Sequence, residues 1–393
     1  MKKWMLGSAF IAVVLLSVFC FQRIPKVHSS KEVVEKTWKG YKYYFIDPDG
    51  RVKRTEQNDT VSEGQAYAML RAVWMGDKPA YDACYAWSEK HLCRTRVKGD
   101  CLLAWRWKDG RVMDWMPASD ADIDYSLSLI FADARWGAKS PAGLPGYSEK
   151  ARQMLADILR LETFTLPGGR LYLSPWILSG EPKGLYPQNP SYYSPAHFKI
   201  FYQFTKDKRW LELADTSYQV ISSASTELDG SKGDGLVPDW ARMDLRGRFF
   251  SWKEKGSDFS WDAVRSIFRV ALDEAWFKDE RARIFLQGDL RKFLEKKWIE
   301  KGFLVAGYRY HGEALNRYES PFFYSAYGTL FKVACRDKFA DDALEKTRHY
   351  LRKEGDRWVY QDHKSYYLNS LSWMSEGFEA SVIKNLSKDK GGK

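Results

Sequence analysis

Val61-Ser62-Glu63-Gly64-Gln65-Ala66-Tyr67 is the most informative stretch of this 393-residue chain. Ser62, followed three residues later by Gln65, fits a capping box, in which each side chain satisfies a free amide hydrogen of the other. Ala66, Leu70, Val73 and Trp74 then recur at helical spacing, so a helix is expected to run to about Met75. Glu63 falls in its first turn, beside a glycine expected to leave room for a ligand. An acid there also suits the helix dipole, an effect of about 0.3–1 kcal/mol, so Glu63 alone does not define a site.

Outward from this stretch the chain reads as helix after helix. Further candidates lie near 79–92, 119–135, 148–161, 193–204, 208–225, 260–275, 281–298, 321–334, 338–349 and 366–379. Strand signals are few; 170–173 and 305–308 read as short loop hairpins. No low-complexity linker divides the chain. The expectation is a single all-α domain of helix pairs over 60–393, preceded by a lead-in over 30–59 with a short helix near 31–37.

The N-terminus carries Lys2-Lys3, an apolar run over 4–21, and then Gln22-Arg23. This is the pattern of an export signal or a membrane anchor over 1–29, and the run is about long enough to cross a bilayer. Lys2-Lys3 would leave the body outside the cytoplasm, periplasmic or secreted, with a tether through 4–21 as the alternative to cleavage.

The net charge is +11, with Lys2, Lys3, Arg23 and Lys26 in the first 30 residues and no acid there, so about +7 stays on the body. No basic run is present, which argues against nucleic-acid binding. A monomer is expected. Cys84, Cys93 and Cys101 cluster in sequence and Cys335 lies far off; export would permit disulfides, but spacing does not choose a pair. His91 is the one histidine near them, too few for a zinc site. With 17 Trp and 23 Tyr, some aromatic rings are expected to serve as flat platforms for the C–H faces of sugars.

Two further stretches carry acids. Ala118-Ser119-Asp120-Ala121-Asp122-Ile123-Asp124 places three carboxylates in one helical turn behind a plausible cap, Ser119. A calcium loop fails here, because Tyr125 stands where glycine is required and Phe131 where the bidentate Glu belongs. In Ser260-Trp261-Asp262-Ala263-Val264-Arg265, Ser260 can cap a helix with Asp262 in its first turn, and Arg265 three residues on is within pairing reach. An adjacent Arg holds a carboxylate ionised, the state a general base needs. Each acid thus starts a helix. In a barrel of helix hairpins the inner helices run parallel, so these starts would meet in one cleft, and two carboxylates flanking a sugar are the minimum for glycoside hydrolysis.

The residues quoted, with Leu102-Leu103-Ala104-Trp105, Trp136, Asn189-Pro190-Ser191-Tyr192-Tyr193 and Asp262-Ala263-Val264-Arg265, resemble glycoside hydrolase family 8 from about Thr60 to about Phe378. The resemblance implies an (α/α)6 barrel and an inverting, endo-acting hydrolase of a β-1,4-linked polysaccharide, with β-1,4-glucan the default and chitosan, xylan and mixed-linkage glucan the alternatives. It implies Glu63 as general acid, Asp262 as general base, Asp120 at the sugar being cleaved, Trp105 as a stacking platform, and Tyr192 and Arg265 beside the base. Asp122 is expected to bind substrate with them. No metal or organic cofactor is implied. Tyr125 and Ser126 replace an aliphatic residue and an alanine of the family pattern, and Trp261 stands where tyrosine is common. A non-catalytic glycan-binding barrel near a polysaccharide export machine is the competing class; it would fit a missing catalytic acid, and none is missing. A polysaccharide lyase on a similar barrel would want Tyr, His or Arg chemistry on a uronic acid, which the paired acids do not favour.

Overall fold

The computed structural model describes residues 28–179 and 184–388; the apolar run over 4–21 lies outside them. In chain order the helices are α1 (Ser30–Phe45), α2 (Ser62–Met75), α3 (Lys78–His91), α4 (Thr95–Lys98), α5 (Ser119–Trp136), α6 (Tyr147–Leu161), α7 (Pro195–Thr205), α8 (Arg209–Thr226), α9 (Arg265–Phe277), α10 (Glu280–Gln287), α11 (Asp289–Lys301), α12 (Pro321–Val333), α13 (Asp337–His349), α14 (Tyr366–Leu371) and α15 (Met374–Glu379).

An inner ring closes on itself. Helix α2 packs on α5, α5 on α7, α7 on α9, α9 on α12, α12 on α14 and α15, and α14 back on α2. Outside it, α3 backs α2, α6 backs α5, α8 backs α7, α10 backs α9, α13 backs α12, and α1 backs α14 and α15. Six helix pairs in a ring form an (α/α)6 barrel. The lead-in is therefore part of the barrel: α1 is longer than expected and buries Val33, Val34, Trp38, Tyr41 and Phe45. Helix α2 is tied to it by Arg71, a core guanidinium that donates to Thr37 Oγ1 at 2.7 Å and lies 4.5 Å from the Trp373 ring.

The two rings differ in pattern because they differ in surroundings. Helix α6 buries Tyr147, Lys150, Ala151, Met154, Leu155, Ile158 and Leu159, one face of an amphipathic helix. Helix α5 buries every residue from Ser119 to Ala132, and α12 every residue from Pro321 to Phe331, because neighbours enclose them on all sides. Short sheets decorate the loops. Among the described residues the largest are three-stranded: Thr60–Val61, Arg106–Lys108 and Arg111–Asp114 form one, and Phe249–Ser251, Ala241–Asp244 and Leu185–Gln188 the other.

Several local expectations are corrected. Gln65 caps nothing: its side chain accepts from Val52 N–H at 2.5 Å and donates to Gly50 O, Cys84 O and Ser88 Oγ, so it stitches the lead-in and α3 onto α2. Ser62 Oγ and Ser119 Oγ are buried without a partner, and Val61 and Ala118 occupy the cap positions with no side-chain cap bond. Helix α9 starts at Arg265, so Asp262 sits in the turn before it. The helix expected over 281–298 divides at Gly288, where α10 ends. The hairpin expected over 305–308 is reduced to isolated bridges from Tyr308 to Phe259 and Ala314. Cys84, Cys93, Cys101 and Cys335 are free thiols.

Candidate active site

The starts of α2, α5, α9 and α14 meet at one end of the barrel; Arg265 joins the first three, and Tyr366 of α14 bonds Glu63. Arg265 Nη1 donates to Glu63 Oε2 at 3.2 Å, Asp120 Oδ2 at 2.8 Å and Tyr67 Oη at 3.0 Å; its Nη2 donates to Asp262 Oδ1 at 2.8 Å and Ser191 Oγ at 3.0 Å. One guanidinium thus holds all three expected acids. The pairing of Asp262 with Arg265 is present, but Asp262 is one of three carboxyl partners.

Glu63 Oε1 accepts a hydrogen bond from Tyr366 Oη at 2.9 Å. The space beside Gly64 is filled by that tyrosine: a Cβ there would lie 3.0 Å from Tyr366 Cε2. Gly64 therefore admits the partner of the acid, which corrects the expectation that it admits a ligand. Burial pushes the Glu63 carboxyl up to about 7, with the Asp120 and Asp262 charges adding and Arg265 and the Tyr366 hydroxyl opposing. A helix start lowers a carboxyl, and here desolvation outweighs it. Asp120 is raised by burial against the pull of Arg265 and Arg269.

Asp262 is held from both oxygens. Oδ1 takes Arg265; Oδ2 accepts from Trp240 Nε1 at 2.9 Å and Asn189 Nδ2 at 3.1 Å. Asn189 is fixed in turn, its Oδ1 accepting from Ser191 N and Ser191 Oγ. The Tyr192 ring lies 5.3 Å from the Arg265 guanidinium and 5.7 Å from the Trp240 ring, beside the base as expected. The carbonyl of Trp105 accepts from Ser62 N–H at 3.0 Å, which seats this half-buried indole next to the start of α2. Its Nε1 donates to Asp114 Oδ2 at 2.7 Å. A groove of about 800 Å³ leads away from Glu63 past Arg54, Trp261, Tyr318, Tyr366 and Tyr367.

Asp122 does not reach this cleft. It is fully buried, makes no bond to Arg265, and accepts the amide hydrogen of Leu103 at 3.1 Å, so it anchors the segment that carries Trp105. The helical period explains the error: two residues on from Asp120 is the opposite face. Asp124, one turn on, pairs with Arg269 and with His197 Nε2 at 3.0 Å, sealed inside the barrel. Burial would raise Asp124, but Arg269 and His197 hold it well below the usual carboxylate range.

Tyr366, Tyr67 and Trp240 are not among the expected site residues. Tyr67 was within reach of sequence reasoning, since it lies four residues from Glu63 on the same helical face. Tyr366 and Trp240 act across 303 and 22 residues and carry no local signal. Among the described residues no group of three or more His, Cys, Asp or Glu is placed to hold a metal ion.

A helical barrel with three carboxyls gathered at the starts of its inner helices belongs to the class of (α/α)6 glycosidase-type barrels. The family model of glycosyl hydrolases family 8 matches residues 6–300, and the chain belongs to that family. It is 30% identical over 293 residues to Endoglucanase A of Acetivibrio thermocellus, covering 70% of this chain and 56% of the relative. The chain spans about half the length of the first curated relatives it matches. The fold is shared with a β-1,3-1,4-glucanase from Paenibacillus sp. X4 (TM-score 0.75, 21% identity, 90% of this chain and 93% of that one). It is shared too with an endo-1,4-D-glucanase from Vibrio fischeri ES114 (TM-score 0.69, 22% identity, 87% and 94%).

Proposed function

We propose that the chain is an inverting, endo-acting glycoside hydrolase of β-1,4-linked glucan. The observation that carries this reading is the single Arg265 guanidinium joining Glu63, Asp120 and Asp262 at the mouth of the barrel. Glu63, pushed up to about 7, holds its proton at mildly acid pH and gives it to the glycosidic oxygen. Asp262, held by an arginine and two N–H donors, is the base that takes a proton from water attacking the opposite face of the sugar. The two carboxyls bond different nitrogens of one guanidinium, Glu63 on Nη1 and Asp262 on Nη2, and inversion calls for a wide spacing, roughly 6.5–9.5 Å, that leaves room for the water. Asp120 faces the sugar ring from the floor of the cleft. Trp105 offers a stacking face, and the open groove past Tyr366 and Tyr367 suits a polymer cut internally. The names of the relatives, endoglucanases and β-glucanases, support a β-glucan. We also propose that the run over 4–21 exports the body; finding all of the protein soluble in the cytoplasm on cell fractionation would remove that reading.

The stereochemistry tests the mechanism. Direct attack by water inverts the anomeric carbon, so proton NMR of early products from a β-linked glucan oligomer shows the α-anomer first, with the β-anomer following by mutarotation. First appearance of the β-anomer means retention and overturns the reading. A reducing-sugar screen on carboxymethylcellulose, lichenan, xylan and chitosan identifies the glycan.

A further inference from the structure

Beneath the base lies a carboxyl with no role in the chemistry above. One oxygen of Asp239, Oδ1, accepts three backbone hydrogens: from Ser260 at 3.2 Å, from Asp262 at 2.9 Å and from Ala263 at 2.7 Å. Those amides belong to the turn that precedes α9 and carries Asp262. The turn lies outside the regular helix, which begins at Arg265, and its own backbone bonds, Val264 N–H to Ser260 O and Arg265 N–H to Asp262 O, leave the amide hydrogens of Ser260, Asp262 and Ala263 to Asp239. The next residue, Trp240, donates Nε1–H to the Asp262 side chain at 2.9 Å. Consecutive residues therefore grip Asp262 twice, by its backbone and by its carboxylate.

The grip is itself anchored. Asp239 N–H donates to Asp258 O at 2.7 Å, Trp240 N–H donates to Gly256 O at 3.1 Å, and Ser257 Oγ donates to Trp240 O at 2.7 Å. The chain then runs directly into the strand Ala241–Asp244, the middle of a three-stranded sheet. The position of the base is thus referred to a sheet as well as to the helix it precedes, which holds it through Arg265.

We propose that Asp239 is a positioning residue for Asp262: it fixes the turn that sets the distance from the base to the attacking water. The proposal rests on reading Asp262 as the general base. What the turn requires is an oxygen acceptor at Oδ1, and an amide supplies one in the same place. Asp239→Asn therefore keeps the three contacts, whereas Asp239→Ala removes them all. Misplacing a catalytic group by about 1 Å costs roughly 10²-fold in rate. A defect confined to the chemical step leaves substrate binding intact.

The test compares the parent, D239A and D239N on the glucan the parent cuts best, with and without sodium azide. D239A is expected to lose about 10²-fold in kcat with KM within about threefold of the parent. D239N is expected to keep at least roughly a third of the parent kcat, since its acceptor is in place. Azide attacks the anomeric carbon without a base while Glu63 protonates the departing oxygen. It should therefore restore much of the D239A turnover and yield a glycosyl azide of inverted configuration. A collapsed site gains nothing from azide. If D239A does not fold, D239E takes its place, since it keeps the charge but shifts the acceptor by one methylene, and the same outcomes apply. The proposal is overturned if the variant turns over within twofold of the parent, if azide gives no rescue, or if D239N is as impaired as D239A. A parent inactive on every glucan overturns the functional reading instead, so the two failures are distinct.

Discussion

Arg265 and Arg269 lie one turn apart on α9 and face Asp120 and Asp124, one turn apart on α5, yet the two arginine sites behave differently. The upper one gathers Glu63, Asp120 and Asp262 around a single guanidinium, and the Glu63 and Asp262 side chains remain 22% and 30% exposed. The lower one matches Arg269 to Asp124, 7% and 1% exposed, with His197 completing the set. Burial, with the Asp120 and Asp262 charges adding to it against one shared cation, keeps a proton on Glu63 and raises it to about 7. One carboxyl shared between a cation and a histidine is satisfied, so Asp124 stays ionised and inert. Reactivity here comes from a desolvated acid that shares its one cation with two other carboxyls, and rigidity from charge balance one turn below.

The largest effect expected from breaking this contrast is in the upper site. Glu63→Gln and Asp262→Asn should each cut kcat by about 10³-fold or more, with circular dichroism unchanged, because general acids and bases supply roughly 10²–10⁴-fold each. A variant that keeps more than a few per cent of turnover does not have the role assigned to it. In the lower site the loss is of stability. Asp124→Asn removes the charge that balances a buried Arg269 and should cost about 3–5 kcal/mol in denaturant unfolding. A cost under about 1 kcal/mol would put both sites in the same class.

A smaller effect concerns pH. The folded-state carboxyl of Glu63 is raised from 4.5 to about 7, so between those values the folded protein holds a proton that the unfolded chain has released. Stability therefore falls as pH rises through that window. E63Q lacks this loss: it should melt about 2–4 °C above the parent at pH 8 and equal to it at pH 4. Equal melting temperatures at both values would show that Glu63 ionises freely. The smallest effect is on the acid's partner. The Tyr366 hydroxyl lowers the Glu63 carboxyl, so Tyr366→Phe should move the basic limb of kcat/KM to higher pH, by less than about one unit. A shift to lower pH would reverse the assignment of donor and acceptor.

Much of the barrel was legible from periodicity because outer helices such as α6 bury one face. Inner helices such as α5 and α12 are enclosed, and the starts near Glu63, Asp120 and Asp262 are marked by their acids and by serines in plausible cap positions. Those cap readings failed in detail: Gln65 serves α3 and the lead-in, and Asp262 lies outside its helix. A side chain with several hydrogen-bonding atoms takes the partners that burial offers, and local spacing does not reveal those partners. Asp122 was misplaced for the same reason. Its type and neighbours matched Asp120, but a helix turns it to the other side, where Leu103 waits.

By itself the sequence determined which residues are acids, that Glu63 and Asp120 stand in first turns and that Asp262 has Arg265 three residues on. It also carried enough of the family pattern to imply the barrel. All of this is local chemistry, written in residue type and spacing. Only the tertiary structure decided that Arg265 reaches Glu63 across 202 residues and Asp120 across 145, and that Tyr366 reaches Glu63 across 303. It likewise decided that Asp239 holds the turn of the base. The raised affinity of Glu63 for its proton follows from those placements, because desolvation and charge proximity depend on distance in space and not along the chain.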